Sequence, residues 1–388
     1  MNKIKTKDLK PGQVFSAPVF SEGDNMLVPE MIPLKQKDID LLNSWGIEFV
    51  TSEGKEISPD ELTKLEEIKP PEAQGAIRFS ISDVRQNSVP YRAYKSLIDR
   101  LNSVFAGIKS GSDVSMQAVD DITVQLLHDL KNNPDSFIGF ILGGEVIGSE
   151  LAKSSVNTAI ISALIAQEIK LPNHKINNVV AAALLHDVGM LRLSKGITEK
   201  KGGLSNAELE QIKSHTIHTS KIITKELYGP KEVNFIALQH HERWDGQGYP
   251  DGLIGPAIEI GARIVSAADA FEAMVSKKSY RNSMVGYQAI KNLMADNARR
   301  FDPEVIIAFT KIMGIYPIGS IVRLNDFSVA RVISVNTEAP MRPVVQMLMD
   351  DKGKVFGSRD VVTIDLLAEK KHFIKEAIDP AEYNGANA

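Results

Sequence analysis

From about residue 88 to 313 the chain carries apolar residues at three- and four-residue spacing almost without a break. "VPYRAYKSLIDRLNSVFAGIK", "LAKSSVNTAIISALIAQEIKL" and "IEIGARIVSAADAFEAMV" are typical segments. That period places the apolar side chains of each segment on one helical face. Roughly seven to nine helices with short connections must bury these stripes against one another, and a compact α-bundle is the expected solution.

With 388 residues, 43% of them hydrophobic, there is material for a sizeable core and for more than one domain. Residues 1–70 read as a small α/β unit. "GQVFSAPVF" and "IEFV" are its β-rich runs, and "KQKDIDLLNSWG" is a helix stopped at Gly46. "SPDELTKLEEIK" is a further helix, with Ser58 and Glu61 as its capping box. Residues 71–135 read as a linker, beginning in "PPEAQG", followed by helices available for dimerisation, and 136–314 as the main helical domain. In 315–388 the pattern turns β-branched, in "SIVRLN", "SVARVISVN", "RPVVQMLMD" and "DVVTIDL", and "AEKKHFIKEAI" is expected as a terminal helix. The expected fold class is mainly α, a helical bundle with a small N-terminal α/β unit and a small C-terminal β unit.

A net charge of −4 gives no global attraction to a nucleic-acid polymer or an anionic membrane. The absence of cysteine excludes disulfides and thiolate metal sites, so any metal must be held by nitrogen and oxygen. "MNKIKTKDLKPGQVF" lacks the apolar centre of a signal peptide, and no stretch approaches the roughly 20 apolar residues needed to span a bilayer. A cytoplasmic location is expected.

The chemistry concentrates in a few places. His186 and Asp187 end the very apolar "NNVVAAALLHDVGM", His240 and His241 end "PKEVNFIALQHHERW", His215 lies in "KSHTIHTS", and Asp269 sits inside "VSAADAFEA". A carboxylate among alanines and valines costs several kcal/mol unless it is paired or ligates a cation. Asp269 alone is met equally by an internal hydrogen bond or a metal, and His128, His174 and His372 read as capping or solvent-facing. Adjacent histidines diverge by about 100° on a helix, which suits two ligands reaching different ions. A sulfur-free set favours Mn, Fe, Co, Ni or Zn over Mg or Ca. Metal-assisted hydrolysis of a phosphate ester is the chemistry these residues suggest.

"LLHDVG", "HHERWDGQGYPDGL", "VSAADAFEAMVSKKSYR" and "RRFDPEVIIAF" resemble the HD-GYP family, the HD-domain phosphohydrolases that cleave the bacterial messenger cyclic di-GMP. The resemblance covers about 150 to 313, and "KIKTKDLKPGQVF" resembles segments that precede such domains. It implies an HD-type bundle with metal ligands at His186, Asp187, His215, His240, His241 and Asp269. His186 and Asp187 would be the catalytic pair, with Asp187 as the bridging carboxylate. Two or three transition-metal ions, iron or manganese, are implied. Gly248, Tyr249 and Pro250 would shape the nucleotide pocket, and Lys200 and Arg281 would contact phosphate.

The sequence departs from the family's pattern at three positions. Ser154 stands where the family has a histidine ligand, Met190 where it usually has lysine, and Thr219 where glycine is usual. Glu150, one helical turn before Ser154, reads either as a ligand for a third ion or as a solvated helix N-terminal acid. The implied activity is hydrolysis of cyclic di-GMP to pGpG, and onward to GMP, by metal-activated hydroxide. The alternative is a degenerate member that binds the nucleotide or a signalling protein partner with little turnover. A third reading is an HD phosphohydrolase of other nucleotides. A homodimer is compatible with each.

Overall fold

The computed structural model describes residues 2–17, 19–21, 25–28, 33–44, 47–57, 88–143, 150–198, 200, 202–276, 286–296, 299–357 and 360–379. The helix expected in "SPDELTKLEEIK", the "PPEAQG" linker, Gly46, Arg281 and the polar C-terminal tail lie outside the described residues. No helix among those described is long and apolar enough to cross a membrane.

Strands β1 (Asn2–Lys5), β2 (Val19–Ser21), β3 (Asn25–Val28) and β4 (Phe49–Ser52) form an antiparallel sheet in the order β1-β4-β2-β3. Helix α1 (Gln36–Ser44) joins it, and Val19, Leu34, Leu42 and Val50 fill a small core of their own. Strand β1, with Ile4 as its one apolar side chain, carries too little pattern to be expected from sequence.

The helical region runs α2 (Val89–Ser110), α3 (Met116–Asn132), α4 (Pro134–Gly143), α5 (Glu150–Glu168) and α6 (Asn173–Leu185). A 3-10 turn at Val188–Arg192 leads to α7 (Lys195–Thr198) and α8 (Asn206–Lys213). Helix α9 (His215–Lys221) runs into a π turn at Ile222–Glu226 and is followed by α10 (Lys231–Leu238), α11 (Ile260–Val275), α12 (Gly286–Ala295) and α13 (Pro303–Met313). One apolar core unites α2–α6 with α10–α13, through residues such as Leu101, Ile161, Leu184, Phe271 and Phe309. Helices α2 and α3 therefore bury their stripes within this chain. Ser88 caps α2 by accepting the Tyr91 N–H at 3.3 Å. Helix α4 is apolar nearly all round and so shows no periodicity in the sequence. Its Phe137 and Phe140 pack on Tyr94 of α2, with ring centroids 5.9 and 5.4 Å apart.

Helix α5 is the central element, packed by α6 and α11 and burying even Ser154, Ser155, Asn157, Thr158 and Ser162. The apolar spacing of "NAELEQIKSHTIHTSKIITKEL" predicts one helix, but the chain breaks it at Ser214. Helix α8 has no buried residue, whereas α9 buries His215, Thr216 and Thr219, so the break turns the chain from a surface helix to a core one.

The C-terminal unit is a five-stranded antiparallel sheet of β5 (Ile321–Leu324), β6 (Val329–Ser334), β7 (Val344–Met349), β8 (Thr363–Asp365) and β9 (Ile374–Ile378), in the order β8-β7-β6-β5-β9. The terminal helix expected in "AEKKHFIKEAI" is instead β9, paired with β5 from Ile321↔Ile378 to Leu324↔Ile374. Ile374 and Ile378 satisfy the four-residue spacing of a helix and the two-residue period of a strand equally well. The open edge of β5, whose backbone groups need partners, decides for the strand.

Candidate metal centre

Helix α6 delivers its last turn, Ala183–Leu185, straight into His186, which is fully buried. The His186 Nδ1–H donates to the Ala183 carbonyl at 2.7 Å. The same bond recurs at His215, to Ile212 at 2.6 Å, and at His240, to Ala237 at 2.7 Å. A carbonyl can only accept, so each ring keeps a proton on Nδ1 and turns its Nε2 toward the cluster. These three Nε2 atoms converge on the carboxylates. His215 and His240 face Oδ1 of Asp187 at 3.2 and 3.8 Å, and His186 faces Oδ2 of the same residue at 3.5 Å. His186 Nε2 also lies 3.5 Å from Oδ1 of Asp269 on α11, yet is buried with no hydrogen-bond partner among the described residues.

His241 completes the cluster, its ring 4.0 Å from that of His240 and 5.1 Å from that of His215. Asp187, His215, His240 and His241 each offer a ligand atom, all within 4.8 Å of one another. Four separate elements supply these groups: the end of α6, the start of α9, the end of α10 and the middle of α11.

Burial opposes the charge on Asp187, but His186, His215 and His240 outweigh it and hold its carboxyl well below the usual range. Asp269 is also lowered, with His186 overcoming its burial. Burial likewise opposes protonation of His186, yet Asp187 and Asp269 raise it to about 9. His240 is pushed well down by burial and by the neighbouring imidazoles, and His241 down to about 4, chiefly by burial. Burial also opposes protonation of His215, yet Asp187 raises it. The carboxylates thus draw positive charge into a pocket in which His240 and His241 resist a proton. A divalent cation meets both demands, since it needs neutral imidazoles and anionic carboxylates.

The supporting shell is dense. Gly189 passes so close to α9 that a Cβ there would meet the His215 carbonyl oxygen at 2.1 Å and the Thr219 nitrogen at 2.6 Å. Its N–H donates to Thr219 Oγ1 at 2.9 Å, and that hydroxyl donates to the His186 carbonyl at 2.9 Å. The threonine in place of glycine is therefore used, tying α9 to the end of α6. Met190 is half-buried in the 3-10 turn, its N–H donating to the Asp187 carbonyl at 2.9 Å.

Ser154 on α5 donates to Oε2 of Glu272 at 2.6 Å, and Asn157 donates to Oε1 at 3.1 Å. Ser276 also bonds Glu272, and the Tyr94 hydroxyl bonds Asn157. Glu272, 1% exposed, sits one turn beyond Asp269 on α11. Sequence reasoning passed over Glu272 and Asn157, although an acid among the apolar residues of "AADAFEAMV" gives the same signal as Asp269.

After His241 the chain makes a compact loop. Gly248 lies against the backbone of the preceding turn, where a Cβ would meet the Arg243 nitrogen at 2.4 Å and the Glu242 Cα at 2.5 Å. The Tyr249 N–H donates to the His241 carbonyl at 3.2 Å, its ring centroid is 4.8 Å from that of His241, and the Tyr249-Pro250 peptide is cis. Burial, then Asp187 and Asp269, raise the Tyr249 hydroxyl, which stays protonated. Glu242, 2% exposed, accepts the N–H groups of Asp251, Gly252 and Leu253 at 2.7, 3.1 and 3.0 Å. The sequence marks Glu242 only as the acid beside the two histidines, and its three-fold use shows only in the fold.

Glu150 is exposed in the first turn of α5 and is not one of the four residues whose ligand atoms cluster. Lys200 gives its ammonium to both oxygens of Glu208 at 2.8 Å, and Glu208 also completes the capping box of Ser205 on α8. Arg281 is outside the described residues.

Residues 145–305 match the family model described as HD domain, and residues 321–386 that of a KOW domain associated with HD domain. Among curated proteins the chain is 26% identical to the cyclic di-GMP phosphodiesterase PdeB of Borreliella burgdorferi, over 91% of this chain and 90% of that one. It is 25% identical to a cyclic di-GMP phosphodiesterase of Pseudomonas aeruginosa, over 72% of this chain and 67% of that one. A 3'3'-cGAMP-specific phosphodiesterase of Vibrio cholerae is 33% identical over 43% of this chain and 36% of its own length.

Proposed function

We propose that this chain, which belongs to the HD-GYP family, is a metal-dependent phosphodiesterase that hydrolyses cyclic di-GMP to linear pGpG. The observation that carries the reading is the set of three imidazoles, each held by an Nδ1–H bond to a backbone carbonyl, turning Nε2 toward Asp187 and Asp269, with the buried Nε2 of His186 unpartnered among the described residues. Such pre-orientation suits a set of nitrogen ligands for a cation. The named activities of its relatives supply the substrate class.

His186, Asp187, His215, His240, His241 and Asp269 would hold two ions, iron or manganese, with Asp187 bridging. The two oxygens of Asp187 face different histidines, as a bridge requires. When bound, such ions supply Lewis acidity toward a phosphodiester oxygen and activate water. Asp187 and Asp269 remain anionic and balance the cationic charge. The Tyr249 hydroxyl, protonated at neutral pH, is a hydrogen-bond donor at the rim of the cluster, and the Tyr249-Pro250 edge borders the nucleotide. Glu150, exposed at the start of α5, is not counted among the ligands of this two-ion centre.

Metal-loaded protein incubated with cyclic di-GMP should release pGpG, and D187N should abolish turnover while lowering metal content. Tight binding without product at high enzyme concentration, with two ions per chain, would instead establish a sensor. A parallel incubation with 3'3'-cGAMP fixes which dinucleotide is preferred.

A further inference from the structure

A cyclic dinucleotide carries two phosphodiester groups. If the cluster engages one, as the reading above requires, the second anion needs a counter-charge of its own close by. Lys200 is poorly suited, because both oxygens of Glu208 hold its ammonium and Glu208 also caps α8. Arg192 and Arg243 are similarly committed, in two-point pairs with Glu226 and Asp245.

Lys213 differs. It ends α8, two residues before His215, and its Nζ lies 5.7 Å from the centroid of the Tyr249 ring. That ring is 4.8 Å from His241 and 6.5 Å from His215, centroid to centroid, so the ammonium stands one aromatic ring away from the cluster. Among the described residues its one carboxylate contact is with Glu210 at 2.7 Å, both side chains being exposed at 45% and 70%. Exposed pairs of this kind contribute about 0–1 kcal/mol, so an incoming phosphate displaces Glu210 at little cost. The Tyr249 ring can keep the ammonium poised by cation–π attraction in the meantime.

We propose that Lys213, poised over Tyr249, binds the phosphate of the cyclic dinucleotide that is not cleaved, exchanging Glu210 for it. This rests on the phosphodiesterase reading and names one residue of its substrate site.

The test is calorimetric titration of cyclic di-GMP into metal-loaded full-length protein, with metal content measured on each variant. K213A should weaken binding roughly 10-fold, as expected for one lost charge-assisted contact, and K213E more. K213R should restore most of the affinity, and E210Q, which frees the ammonium, should tighten binding about two- to threefold. Binding by K213A within twofold of the unsubstituted protein overturns the proposal. So does weakening that comes with lost metal, because Lys213 would then act on the cluster rather than on the phosphate. Failure of the unsubstituted protein to bind cyclic di-GMP at all overturns the functional reading itself, a separate and recognisable result.

Discussion

Replacing Glu242 by glutamine keeps the size of the side chain and removes its charge. One oxygen of Glu242 accepts two N–H groups, from Asp251 and Gly252, and the other accepts the N–H of Leu253. The glutamine oxygen can keep the first pair, but its NH2 then confronts the Leu253 donor. One bond to a charged acceptor is lost, worth about 1.5–3 kcal/mol, and a backbone N–H is left unpaired, for a total of roughly 2–5 kcal/mol. The loss falls on the loop that holds Tyr249 against His241. Amide hydrogen exchange is the discriminating assay, with the protection of residues 251–253 expected to drop before that of α5 or α11. A lower urea midpoint should accompany it. Protection at 251–253 equal to that of the unsubstituted protein would refute the reasoning, because no other described side chain supplies those three acceptor contacts.

Gly189→Ala places a methyl against the His215 carbonyl and the Thr219 nitrogen, both backbone atoms, and should cost about 3 kcal/mol or more. Thermal denaturation together with metal analysis checks this, and an unchanged midpoint with full metal content would contradict the close packing. In metal-free protein His186, raised to about 9, contributes stability that is fully present below its ordinary pKa near 6.5 and is lost as pH rises through about 9. His241, pushed down to about 4, works the other way, its contribution being lost as pH falls from about 6.5 toward 4. Urea unfolding of chelator-treated protein from pH 5 to 10 should show both limbs, and H186N should reduce the alkaline one, to which His215, also raised, contributes.

The helical domain was legible because its periodicity extends over whole helices, and the cluster because His186-Asp187 and Asp269 are polar groups in apolar surroundings. What escaped was of two kinds. Short or unpatterned elements gave no period: β1 has a single apolar residue, α4 is apolar nearly all round, and the five residues of β9 fit two periods at once. The second kind depends on distance in space. The Ser154–Glu272 contact joins residues 118 positions apart, and no local pattern announces it. Lys200 looked free in sequence because Glu208 becomes its partner only once α8 has formed. Lys213 carried no motif at all, and only the loop that returns Tyr249 beneath it gives it a place.

The four elements that converge on Asp187 also bear on how this chain is held together. It has no cysteine, so disulfides cannot restrict its unfolded state. A cation shared by the ends of α6 and α10, the start of α9 and the middle of α11 would close successive loops, such as the 25 residues between His215 and His240. In the chain-entropy picture, closing a loop of that length is worth roughly 3–4 kcal/mol. The ions would then serve as staples as well as reagents. Chelation should loosen the α6–α11 half of the bundle far more than the C-terminal sheet, which draws no ligand from the cluster.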